Sequence, residues 1–490
     1  MRRMVQQLAT GAVALAAALL LTGAGAPEPD LTLTGVMTGA DHETYREVPF
    51  RVPAGVSQVT VEFAYTGREQ RSVIDIGLRD PQRFRGWSGG NKTRFTVAET
   101  FATPSYLPGP LPAGQWKLIL GVPNLRKDAR APYTAKIYFA RDGRFEGFAA
   151  APLKTGEAWY RGDLHMHTGH SDGSCASRKG ARVPCPLFRT TEAAVARGLD
   201  FVAITDHNAT SHHQGLAELQ PYYDDLLLIP GREITTFKGH ANVFGVVAPL
   251  DFQLGGPRAP DLGRIQDQVE AVGGLMSINH PGLPSGEACM GCGWTAETDY
   301  ARIAAVEAVN GATADSPLSG IPFWEARLNA GFRITAIGGS DNHDPGLDPS
   351  RPPAIGAPTT VVQARDLSQG AILDAIREGR VFVDVAGARN RLLEVTAMVD
   401  GASARMGQAL ATPAGRPIRL AVRVAGAAGG RIFLAGDGVT PDATGGPLGA
   451  DETRTLEITT TGRRGWVRAD VRGPDGKLWL LGNPIYLNPR

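Results

Sequence analysis

Histidine is almost missing from both ends of this chain. Of ten in 490 residues, only His42 precedes His165 and none follows His343. Cysteine is scarce, at four residues, so the fold is not a disulfide scaffold and must rest on a hydrophobic core, for which 42% apolar content is ordinary. There is no basic tract and the net charge is +1, which excludes nucleic acid and other polyanions as expected partners. After Leu21 no apolar run is long enough to span a bilayer. No G-x-G-x-x-G or P-loop stands at a strand–helix junction, which weakens a nucleotide-binding fold. No G-x-S-x-G offers a serine nucleophile.

The first 26 residues read as a secretory leader. Arg2 and Arg3 form a basic start, Leu8 to Leu21 is an uncharged apolar run, and Ala24-Gly25-Ala26 supplies small residues for cleavage. Pro27 makes a cut after Ala26 awkward; a cut after Ala24 and retention as an uncleaved anchor are the alternatives. Loss of Arg2 and Arg3 takes the net charge to about −1. The expected location is the bacterial periplasm or the exterior. The cysteines suit that compartment as two local disulfides, Cys175–Cys185 and Cys289–Cys292. A separate zinc site built from all four thiolates is the other reading, and a redox role for the C-x-x-C pair lacks a thioredoxin-like context.

At this length two to four domains are expected. Residues 27–152 alternate in strand fashion: Val59, Val61, Phe63 and Tyr65 against Thr60, Glu62 and Ala64, then Ile74, Ile76 and Leu78, then Tyr133, Ala135, Ile137 and Phe139. A β-sandwich is the natural architecture. Residues 153–386 alternate strands with helices. Strands are expected at 159–167, 201–205, 226–230, 241–247, 275–279, 305–309, 334–337 and 359–362. Thr191 reads as a helix cap with Gly198 closing that helix, Leu262, Ile265, Val269 and Val272 mark a second helix, and Ser368 caps a third. Such α/β units imply a mostly parallel sheet. Residues 387–490 return to alternation, as in Ile418, Leu420, Val422 and Val424, and form a C-terminal β domain.

Nine histidines crowd into the α/β region, most at the carboxyl ends of strand candidates, where such folds build their sites. His165 and His167, two apart, project to one face. Adding the acids beside them gives His165, His167, Asp172, His207, Glu233, His240, His280, Asp341 and His343. Nine nitrogen and oxygen donors exceed what one ion uses; they suit a divalent cluster of two or three ions with a bridging carboxylate, in zinc, manganese or iron.

The segments DLHMHTGHSDG, ITDHN, INHP and GGSDNHD resemble the four motifs of the polymerase-and-histidinol-phosphatase (PHP) superfamily, over residues 160–385. The resemblance implies a distorted (β/α)7 barrel with a trinuclear site at the strand ends. It assigns His165, His167, Glu233 and Asp341 to a first ion, Glu233, His240 and His280 to a second with Glu233 bridging, and Asp172, His207 and His343 to a third. Asp172 stands where some members have histidine. The leader, the first β module, PGREITTFKGHANVFG and the closing GNPIY are similar to one branch, the carbaryl-hydrolase-like metallohydrolases.

The expected activity is that of an exported hydrolase whose metal-activated hydroxide cleaves a phosphomonoester or phosphodiester; a carbamate or carboxylic ester is the alternative substrate. An alternative of another class is a metal-stabilised binding protein for envelope polymers. Three further residues are candidates for the chemistry: His170 as proton donor to the leaving group, Arg232 as a grip on phosphate oxygen, and Asp206 as an orienting neighbour of His207. His212, His213, Lys238 and Asn310 are weaker candidates. The cysteine pairs are expected to stiffen the rim of the site without doing chemistry. No pattern speaks to oligomeric state.

Overall fold

The computed structural model describes residues 28–287, 289–441 and 445–489. The leader assigned to residues 1–26 lies outside them. The first strands follow their alternation: Val59, Val61 and Phe63 turn inward, and so do Ile74, Ile76 and Leu78. They build two four-stranded antiparallel sheets. One runs Leu31–Thr38, Arg130–Ala140, Gln58–Tyr65, Arg94–Ala98; the other Tyr45–Val52, Gly114–Asn124, Val73–Arg79, Phe84–Ser88. A single core of Val59, Phe95 and Ile137 from one sheet and Ile76, Trp116 and Leu118 from the other lies between them.

The α/β region forms nine strands of a 14-stranded mixed sheet. Its strands run in the order Thr335–Gly339, Ala305–Asn310, Leu275–Ile278, Gly239–Phe244, Leu227–Thr236, Phe201–Ile204, Thr155–Asp163, Thr359–Asp366, Val381–Asp384. The expectation of a mostly parallel sheet needs correction. Leu227–Thr236 and Gly239–Phe244 are separated only by Phe237 and Lys238, so they pair antiparallel, as Gly239–Phe244 and Leu275–Ile278 also do. A two-residue link cannot make the crossover that parallel strands require. Five α-helices are present among the described residues: Leu187–Arg197, His212–Leu219, Leu262–Ala271, Ile321–Ala330 and Gln369–Arg377. The first starts four residues before the expected cap. Pro186 precedes it in an extended conformation, and the Thr191 hydroxyl donates back to the Phe188 carbonyl, 3.0 Å away, from within the helix. Gly198 closes it with positive φ, and Ser368 caps the last helix through the Ala371 N–H, both as expected.

Among the described residues, the end strand Thr335–Gly339 has no strand partner on its outer side. Side chains take that place. Asn483 accepts from the Ala336 N–H (2.8 Å) and donates to the Ala336 and Val381 carbonyls (both 2.9 Å). The Thr360 hydroxyl accepts from the Gly338 N–H and donates to its carbonyl. Beyond them, the Asp341 N–H donates to the His165 carbonyl and the His167 N–H to the Asn342 carbonyl, each at 2.8 Å. The segments that follow Thr155–Asp163 and Thr335–Gly339 are thereby joined.

The large sheet continues through Leu478–Gly482, which pairs with Val381–Asp384, and on through Gly465–Arg472. A five-stranded sheet that includes Leu392–Val399, Pro417–Ala425 and Asp451–Thr460 packs on this far end, with Val395, Leu420 and Val422 against Val467, Ala469 and Leu480. The N-terminal sandwich abuts the α/β region where Phe101, Phe145 and Phe148 cluster with Val247 and Ala217, and through Gln214, whose amide pairs with both backbone groups of Ala102. Both cysteine pairs form disulfides. Among the described residues no helix is long and apolar enough to cross a membrane.

Candidate metal centre

The opening motif is positioned by a change of hydrogen-bonding partner. The strand expected over 159–167 ends at Asp163, because the buried Asp163 carboxylate takes the N–H groups of His165, Ser340 and Gly356 in place of a strand neighbour. An isolated bridge from Met166 to Asn342 keeps the next residues extended. Leu164 and Met166 therefore enter apolar cores while His165 and His167 turn together to the other side.

Glu233 lies at the centre of the cluster. In the antiparallel pair, Thr235 faces His240 and Glu233 faces Asn242, so strand alternation places Glu233 and His240 on one face. His207 bridges to Glu233 from the neighbouring strand end. Glu233 Oε1 is 3.4 Å from His165 Nε2, 3.4 Å from His240 Nδ1 and 3.3 Å from His280 Nε2; Oε2 is 2.7 Å from His207 Nδ1. Asp341 Oδ1 is 3.1 Å from His167 Nε2 and 3.3 Å from His165 Nε2. On the solvent side Asp172 Oδ1 is 3.4 Å from His343 Nε2 and 3.7 Å from His207 Nε2. The structure thus brings all nine proposed ligands together.

These donors fit divalent ions. His165 Nε2 and His240 Nδ1, both turned toward Glu233, are buried and lack a hydrogen-bond partner. Two such nitrogens beside one carboxylate are costly unless a cation meets them. Ligand atoms about 2.1 Å from one tetrahedral ion stand roughly 3.4 Å apart, close to the separations around Glu233. His280 and Asp341, both proposed ligands, hold positive φ of 27° and 56°, backbone strain that points to a functional constraint. Burial opposes charge on Glu233 and Asp341, yet the imidazoles around them, His165 first, hold both carboxyls well below the usual range. Contact with His343 lowers Asp172 in the same sense. The first two ligand groups are buried except for Asp341, which keeps 23% of its side-chain surface, whereas Asp172, His207 and His343 keep 59%, 28% and 39%. The cluster is open to solvent on that side.

Two residues absent from the sequence reading belong to the centre. Glu307 is buried, lies 3.0 Å from His165 Nδ1 and accepts from the His280 N–H and from Asn310. It fixes the His165 ring so that Nε2 points at Glu233 and Asp341. Gly339 makes this approach possible, since a Cβ there would collide with the Glu307 carboxylate and with His165 Cβ. The signal was present as a lone acid in the apolar strand Ala305–Asn310. Asn279 donates to Glu233 Oε1 at 2.8 Å and so helps to orient it.

The three residues expected to assist chemistry are placed differently. Asp206 accepts from the N–H and hydroxyl of Thr168 and from Ser171, so it braces the turn after His167 rather than the His207 ring. His170 is exposed, hydrogen-bonded to Ser211 at 2.8 Å, and among the described residues touches none of the nine ligands. Arg232 alternates to the face opposite Glu233 and donates to the Leu250 carbonyl; burial there pushes its guanidinium down to about 10. The structure does not bring it to the cluster. His212 and His213 are buried beside that outer face, His212 bonded to the Gly231 carbonyl and His213 to Thr100.

No protein-family profile matches the chain, and no curated protein does. Among solved structures, the chain is similar to a two-domain protein from Bacteroides vulgatus ATCC 8482 described as containing a predicted PHP-like metal-dependent phosphoesterase. The two share 19% identity over 71% of this chain and 98% of that one, with a TM-score of 0.38.

Proposed function

We propose that this protein is a divalent-metal-dependent hydrolase of the PHP type that cleaves phosphoesters. The observation that carries this reading is Glu233, a fully buried carboxylate with four imidazole nitrogens within 3.4 Å and too few hydrogen bonds to satisfy them. In this reading His165, His167, Glu233 and Asp341 hold one ion, Glu233, His240 and His280 a second, and Asp172, His207 and His343 a third. Divalent ions bound by these residues would supply a water of lowered pKa and polarise the substrate's oxygen. The chain's own residues do the rest. Glu307 and Asn279 fix the rings and the bridging carboxylate, and Asp206 holds the turn that carries His170 at the open side. His170 is the group there able to give a proton to a leaving oxygen.

The seven strands from Thr155–Asp163 to Thr335–Gly339, closed at the side-chain seam, are read as the distorted barrel of this superfamily. Residues 153–386 then carry the chemistry, with β modules at 27–152 and 387–490. The two disulfides support a protein exported to an oxidising compartment.

A carbamate or carboxylic ester is the second reading, and the position of Arg232 favours it: the guanidinium available for a phosphate faces away from the cluster. A panel of nitrophenyl phosphate monoester, diester and carboxylic ester, with a naphthyl carbamate, tests both. Turnover of a phosphoester that disappears on chelation and returns with added zinc or manganese is expected. Chelator-sensitive turnover of the carbamate or carboxylic ester alone assigns the second reading, and full metal occupancy without any turnover overturns both.

A further inference from the structure

The loop after His280 brings a disulfide against the ligands. Cys292 is fully buried, and its Sγ lies within 4.8 Å of ring nitrogens of His240 and His280. His240 Nδ1, which faces Glu233, has no hydrogen-bond partner, and His280 faces the same carboxylate through Nε2. Cys289 sits at a more open position beside the exposed Met290. The Met290 carbonyl lies 3.2 Å from His240 Nε2, so the loop already orients that ring. Nitrogen and sulfur ligands of one tetrahedral ion stand roughly 3.6 Å apart. A separation within 4.8 Å asks for a shift of at most about an ångström, which the closed ring Cys289–Cys292 restrains.

We propose that Cys289–Cys292 is a reducible latch on the second ion position, and that reduction delivers Cys292 Sγ as a thiolate ligand beside His240 and His280. The proposal rests on the metal reading given above. The reductant is a dithiol. Its thiolate attacks Cys289 Sγ, the accessible sulfur; the S–S bond breaks and its electron pair leaves on Cys292 Sγ. The second thiolate of the reductant then resolves the mixed disulfide, freeing Cys289, and departs as a cyclic disulfide. Two electrons pass to the protein. Of the two dithiol protons, one ends on Cys289 and the other goes to solvent, because a metal-ligating sulfur stays deprotonated. A soft thiolate added to nitrogen and oxygen donors shifts the position toward zinc or cobalt and away from manganese.

The test uses the full chain, stripped of metal and loaded with Co2+, with any reductant removed beforehand. The oxidised protein is expected to bind Co2+ without a thiolate-to-cobalt charge-transfer band. Reduced protein is expected to gain that band, as is unreduced Cys289→Ser, which leaves Cys292 free. Cys292→Ser is expected to lack it in every state, which excludes Cys175 and Cys185 as its source. Co2+ bound stoichiometrically with no band in either reduced protein or Cys289→Ser overturns the latch and leaves the metal reading standing. A band that persists in Cys292→Ser also overturns it. A folded protein that binds no Co2+ in any form overturns the latch and the metal reading together.

Discussion

Glu307 shows how a single side chain that touches no substrate sets the centre. It lies against His165 Nδ1 and accepts from His280 and Asn310. Glu307→Gln keeps the shape and removes the charge that fixes the His165 tautomer. Metal affinity, read by competition with a chromogenic chelator, is expected to fall roughly 10- to 100-fold with the fold intact; unchanged affinity would remove Glu307 from the centre. His212 tests a different effect. It is fully buried, and burial pushes its pKa from 6.5 down to about 4 against the pull of Asp206. The unfolded chain binds a proton there that the folded chain refuses. His212 therefore contributes stability that is complete above pH 6.5 and is lost as pH falls toward 4, on the order of 3 kcal/mol. Melting temperature is expected to drop over that window, and the slope is expected to lessen in His212→Gln. An equal slope in both proteins would contradict this. The nine proposed ligands, which the structure brings together, were picked out by motif spacing, which is local. Glu307 and Asn279 act across the sheet, so only the oddity of an acid in an apolar strand marked the first.

At the level of elements, the alternation of Val59, Val61 and Phe63 was enough to read the strands, and Gly198 and Ser368 marked helix ends correctly. Thr191 did not, because its hydroxyl found a partner inside the helix. The hairpin at Phe237 and Lys238 fixed the antiparallel pair and, with it, the face of Arg232. Nothing local revealed the seam, where Asn483 stands in for a strand beside Ala336. Asn483→Leu leaves the Ala336 N–H and the carbonyls of Ala336 and Val381 buried without partners. At roughly 1–3 kcal/mol each, a loss of about 3 kcal/mol or more is expected in chemical denaturation. Asp341 follows this strand, so weaker metal binding is expected as well. A loss under about 1 kcal/mol would mean that the seam does not depend on Asn483.

Across the molecule, the large sheet runs from the α/β region into the C-terminal strands without a break, since Phe382 pairs with Gly482 and Asp384 with Leu480. The sequence boundary at 386 falls in a turn, yet the hydrogen bonds cross it. Arg161 strengthens the joint by donating to Asp384 and to the carbonyls of Ala388 and Arg391. A chain ended at 386 exposes the edge strand Val381–Asp384 and loses Asn483; it is expected to aggregate on size-exclusion chromatography, as unpaired apolar edges do. A soluble monomeric fragment that binds metal would show that the two parts fold apart. Composition and alternation divided the chain into three textures, but they carry no information on which strands share a sheet.

The metal centre joins these levels, and elemental analysis addresses it without reference to any substrate. Protein stripped of metal, exposed in turn to zinc, manganese and iron(II), and then passed through metal-free buffer is expected to retain two or three equivalents of at least one of them per chain. Glu233→Gln, folded by circular dichroism, is expected to retain less than one. Wild-type protein that stays folded and ion-free after all three exposures, or a Glu233→Gln variant with the full complement, would contradict the centre described above.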